Sequence, residues 1–155
     1  MSIHAEIIAR GTEGRLFRLL PAVQARPVVR TMLLSAELNG VIFGQWPNVN
    51  ERIRMAQLRR DLDRFVEGGI ITVAAKPYKA GAAYLSRLDR AADEVWEIRS
   101  RHPKPGIRVF GRFAELDTFV ALTWSLRGRL GGPTSLEWKD AIRECKAIWR
   151  QLFPT

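Results

Sequence analysis

An α+β fold is what this 155-residue chain predicts: helices packed on a twisted antiparallel sheet, closed by an amphipathic C-terminal helix. Three observations predict it. Residues 94–126 hold three β-prone runs whose connections are short enough to make an antiparallel meander. Residues 51–67 and 133–153 repeat apolar side chains at three and four, the spacing of one helix face. The length suits one domain with a real core, and 46% hydrophobic with 26% charged residues is ordinary for a folded globular protein.

Taken in order, residues 1–20 give the weakest signal. Ile3, Ile7 and Ile8 suggest a short helix that GTEG ends. Pro27 to Leu38 reads as a helix, with proline in its first turn, Val28, Met32, Leu34 and Leu38 apolar, and Gly40 after its end. VIFGQWPNVN reads as a loop. Asn50 is placed to cap a helix over Glu51 to Glu67, whose stripe is Ile53, Leu58, Leu62, Phe65 and Val66 and which Gly68-Gly69 stops. Arg52, Arg59, Arg60, Asp63 and Arg64 form its other face. The chain therefore reads as a single domain, with residues 1–48 a helical extension and 49–155 the core.

Beyond the double glycine the period changes. IITVA is a short β-prone run, KPYKAGA a loop, and Ala82 to Leu88 a further strand. Glu94 to Arg101, Ile107 to Phe113 and Thr118 to Leu126 follow, joined by HPKPG and AELD. The last element opens with Thr134 and Glu137 in capping-box spacing. Trp138, Ala141, Ile142, Cys145, Ile148, Trp149 and Leu152 then mark its buried face.

The net charge of +9, carried by arginine with only Lys76, Lys79, Lys104, Lys139 and Lys146 beside it, points to an anionic partner. The single cysteine, Cys145, builds neither a disulfide framework nor a zinc site, and no metal or other cofactor is expected. MSIHAEIIARGTEGR lacks a signal-peptide core and no run approaches a membrane span, so a cytoplasmic protein without membrane contact is expected.

Alternation along the strands sorts the arginines. Ile107, Val109 and Phe113 fall on one face, and Arg108, Phe110 and Arg112 on the other; Val120, Leu122, Trp124 and Leu126 share a face; Trp96 and Ile98 oppose Glu97, Arg99 and Arg101. This predicts an apolar side under the helices and an open basic side. On that side Arg108, Arg112 and Arg129 form one positive surface, with Phe110 as a stacking platform of the kind single-stranded nucleic acid uses.

LSRLDRAADEVWEIRS, GIRVFGRF, DTFVALTW, the basic SLRGRL and a final helix stand in the order of the HigB-like branch of the RelE toxin superfamily, and LRRDLDRFVEGG resembles the helix before that family's sheet. The resemblance spans roughly residues 50–150. It implies a RelE-like fold and a toxin of a toxin–antitoxin system: a metal-independent endoribonuclease acting on RNA, including ribosome-associated mRNA, with an acidic antitoxin protein as partner. Arg108 matches that family's strand arginine, Arg127 and Arg129 its basic loop and Arg99 the end of its first strand phrase, where Glu97 and Arg99 pair structurally. Arg108, Arg129 and His102, the histidine of this half of the chain, are then the catalytic candidates, and Arg99, Arg101, Lys104, Arg112 and Arg127 the nucleic-acid contacts. Gly111 stands where that family often has Tyr, and Thr123-Trp124 where a His often stands. These departures leave a second reading, a non-enzymatic member of the fold that binds nucleic acid or protein.

Overall fold

The computed structural model describes residues 2–75, 83–88, 90–132 and 134–154, so the KPYKAGA loop lies outside the described residues. The architecture is α+β. A seven-stranded sheet runs in the order β1 (Leu16–Arg18), β2 (Thr31–Ser35), β7 (Thr118–Leu126), β6 (Ile107–Glu115), β5 (Trp96–Ser100), β4 (Leu85–Arg87), β3 (Val73–Ala74). The meander β5–β6–β7 is antiparallel, as expected, but β2 runs parallel to β7 and β3 parallel to β4, so the sheet is mixed.

Residues 1–48 are not the helical extension that the sequence suggested. Helix α1 (Ile3–Thr12) is present, but two strands follow it. The helix expected over Pro27 to Leu38 does not form: Thr31–Ser35 is a strand between β1 and β7. Met32 and Leu34 enter the core on one face of the sheet and Leu33 on the other. A run buried on both faces is what an inner strand needs, and it carries no alternation to betray it. Ser35 ends the strand, donates to Leu122 O at 2.7 Å and caps the short helix α2 (Ala36–Ile42).

Helix α3 (Val49–Val66) covers one face of the sheet. Asn48, rather than Asn50, caps it, accepting from the Asn50 and Glu51 amides. Its buried side carries Met55, Leu58, Leu62, Phe65 and Val66; Ile53 is exposed, and Asp63 is buried, held by Arg59 at 3.1 Å. The second face is covered too. Helix α4 (Leu136–Leu152) packs there through Cys145 and Leu152, with Ile3 and Ile7 of α1 beside it.

Because both faces are covered, the open basic side does not exist as expected. A bulge between Phe110 and Gly111, where Leu122 is the extra residue of β7, also breaks the alternation. Val120 and Leu122 face α4, whereas Trp124 and Leu126 face α3. Gly111 is required at this bulge: a Cβ there would lie 2.1 Å from Val120 O and 2.7 Å from the Phe119 ring. The α4 cap is Ser135, whose Oγ accepts from the Trp138 amide at 3.3 Å, not Thr134.

Candidate nucleic-acid interface

The positively charged corner is built where β5 ends, β6 begins and β7 ends. Paired residues of a sheet point the same way, so Arg99 of β5 and its partner Arg108 of β6 emerge side by side on the α4 face, with Ser125 of β7 next in the row. Glu97, one pair further in, joins them. Its Oε1 accepts from Arg99 Nε at 2.9 Å and its Oε2 lies 3.6 Å from Arg108 Nε. The structural Glu97–Arg99 pairing that the sequence suggested is therefore present. The Glu97 side chain is 2% exposed and that of Arg108 12%.

Arg108 senses a net positive neighbourhood. Burial pushes its guanidinium down to about 10; Glu97 opposes the fall, and Arg99, Arg127 and Arg101 add to it. It still carries its proton at neutral pH. Arg101, half-buried, donates to Ala83 O at 3.4 Å. Arg127 begins a 3-10 turn, Arg127–Arg129, donates to Gly131 O at 3.0 Å and stacks its guanidinium 5.6 Å from the Trp138 ring.

The β5–β6 turn completes the rim. The Arg127 amide donates to Gly106 O at 2.8 Å, which fastens the 3-10 turn against this hairpin. His102 and Lys104 stand exposed in the hairpin turn, and Arg129 stands exposed in the 3-10 turn. From the opposite face Arg54 of α3 donates to Pro105 O at 3.0 Å. Arg54 was missed in the sequence because α3 reads there as an ordinary solvated arginine face.

Arg112 and Phe110 do not belong to this corner. Phe110 is 1% exposed and meets Trp138 edge-on, with centroids 5.8 Å apart, so it offers no open stacking surface. Arg112 forms an ion pair with Glu94 and lies 4.7 Å from the Trp149 ring of α4. The single surface expected of Arg108, Arg112 and Arg129 is thus interrupted by α4. Sequence periodicity placed these side chains on the right face but gave no sign of which helix covers it.

The corner therefore brings together Arg99, Arg101, Arg108 and Arg127 around Glu97, with His102, Lys104 and Arg129 on the adjoining rim. Guanidiniums can neutralise and bidentately orient phosphates; here Arg99 and Arg108 are 12% exposed, and the rim side chains are the open ones. Among the described residues no three His, Cys, Asp or Glu side chains come together to hold a metal ion, and no helix is long and apolar enough to cross a membrane. No protein-family model, curated protein or solved structure matches this chain.

Proposed function

We propose that this chain is a toxin-like RNA-binding protein of RelE-like fold whose basic corner receives the phosphate backbone of single-stranded RNA. The observation that carries the reading is geometric: Arg99 and Arg108 are register partners that flank the one carboxylate Glu97, and Arg127 is fastened to the same hairpin through Gly106 O. Gathering like charges at one end of a sheet works against folding, and an anion bound there offsets the repulsion. The order of elements supports the HigB-like resemblance: α3, the three meander strands, the basic turn and α4 follow one another as the matched segments do.

In the ribonuclease form of this reading, the ribose 2′-oxygen forms a bond to the neighbouring phosphorus as the bond to the 5′-oxygen breaks. The 2′-proton leaves to a base, the 5′-oxygen gains one, and the guanidiniums bear the charge of the crowded phosphate. One observation favours binding without cleavage: the Glu97 carboxylate is enclosed and already holds Arg99, so it is not open to take a proton from RNA.

Incubation with single-stranded RNA in excess chelator separates these readings. Products with 2′,3′-cyclic phosphate ends, together with growth arrest on expression, establish the ribonuclease. Saturable binding that leaves the RNA intact establishes the binder. An acidic antitoxin would then compete with RNA for the corner. Failure to bind RNA at low salt overturns the reading.

A further inference from the structure

Among the described residues six buried side-chain polar atoms have no hydrogen-bond partner, and four of them share one patch: Ser86 Oγ, Glu97 Oε2, Arg108 Nε and Thr123 Oγ1. Glu97 Oε2 and Arg108 Nε face each other as an ion pair at 3.6 Å without a hydrogen bond, whereas the Ser86 and Thr123 hydroxyls are unmatched, each at the cost of its lost hydration. The strand register sets Ser86, Glu97, Phe110 and Thr123 in one row across β4, β5, β6 and β7, all on the α4 face, with Arg108 in the next row. The row thus holds an aromatic ring, two hydroxyls and a carboxylate oxygen that only accepts. Those are the elements that stack a nucleobase and read its edge.

What covers Phe110 is weakly held. Trp138 lies over it, yet residues 136–144 of α4 include no buried side chain, and Leu136 is 65% exposed. Trp138, Ala141 and Ile142 pack against the core while only partly buried, and the fully buried anchors come further on, Cys145 and Leu152 and then Phe153. Trp138 is tied instead to the basic turn, donating to Gly131 O at 3.3 Å beneath Arg127.

We infer that this row is the base-reading floor of the RNA site and that the first two turns of α4 are its lid. When the lid lifts, a base replaces Trp138 on Phe110, its edges meet Glu97 and Thr123 on the two flanking strands, and the backbone phosphates reach Arg108 and the basic corner. Glu97 Oε2 accepts but does not donate, so the floor favours bases with an exocyclic amine, adenine, cytosine or guanine, over uracil, which has none. This rests on the RNA-binding reading above.

The experiment compares short oligo(A), oligo(C) and oligo(U) with inorganic polyphosphate, a polyanion without bases. Wild-type protein should bind oligo(A) and oligo(C) more tightly than oligo(U). Trp138→Ala should tighten oligo(A) binding by up to about ten-fold, the gain available when a minor open state becomes the major one, and change polyphosphate binding far less. Thr123→Val should erode the preference for oligo(A). Hydrogen exchange on the wild-type protein provides a second reading that needs no variant: residues 136–144 should exchange faster than 145–152, and faster still with oligo(A) bound. Equal protection of the two halves, or equal affinity for all three oligonucleotides, overturns lid and floor while wild-type RNA binding still stands. Absence of RNA binding by the wild type removes the basis of both.

Discussion

Glu97 holds the corner together. Its carboxylate is buried between Arg99 and Arg108, so removing it leaves two guanidiniums crowded in a poorly hydrated place. Removing Arg108 leaves a matched Glu97–Arg99 pair. Breaking a buried ion pair by deleting one partner typically costs about 3–5 kcal/mol. Glu97→Leu should fall in that range by urea denaturation, and Arg108→Leu should cost markedly less; the reverse order would show that Arg108, not Glu97, is the structural partner. The pH dependence has the same origin. Arg108 is depressed by burial, so the folded state loses its proton at lower pH than the unfolded state does. The burden of enclosing its charge is fully present below about 10 and is relieved as pH rises through that value. At this scale the Glu97–Arg99 pair was legible, because positions two apart share a strand face. Its enclosure was not, because burial depends on what packs over the strand rather than on the strand's own alternation.

Helix α4 is the element on which the sequence reading succeeded in kind and failed in detail. Its span and its Trp- and Ile-rich stripe follow from the 3.6 period. Its cap did not: TSLE offers both Thr134 and Ser135, and the local pattern does not choose between them. Ser135→Ala should cost about 1 kcal/mol, and Thr134→Ala close to nothing, in thermal or urea unfolding. Equal losses would put the cap in the wrong place. Cys145 tests the anchored half of the helix. It is buried, and burial pushes its thiol up to about 12. A thiol reagent at pH 8 should therefore modify the native protein far more slowly than the urea-unfolded chain. Rapid modification of the native protein would mean that α4 opens along its whole length. The bulge opposite Leu122 was likewise invisible to alternation, since one inserted residue exchanges the faces of everything after it.

In the whole molecule, the largest misreading was of residues 1–48. Their apolar run over Met32, Leu33 and Leu34 has no periodicity that separates an inner strand from a buried helix. Placed between β1 and β7, β2 closes the core with Met32 and Leu34 fully enclosed, and α2 adds Leu38. A fragment of residues 49–155 should accordingly fail to fold cooperatively, as judged by circular dichroism and thermal melting. A stable fragment would restore the reading of an appended segment. The α+β class, the meander and the position of Arg108 beside the basic turn were all legible, because they rest on strand alternation and short connections. The covered face was not, because net charge says that arginines are present but not which of them a helix hides.

The claim that the basic corner binds an RNA backbone is tested most directly by the salt dependence of single-stranded RNA binding. Each neutralised phosphate contributes a slope of about −0.7 to log K against log salt. Wild-type protein should show a steep linear fall, and Arg127→Ala and Arg101→Ala should each flatten it by about that one increment, with the far-ultraviolet spectrum unchanged. A slope that neither variant alters, or binding indifferent to salt, would contradict the account.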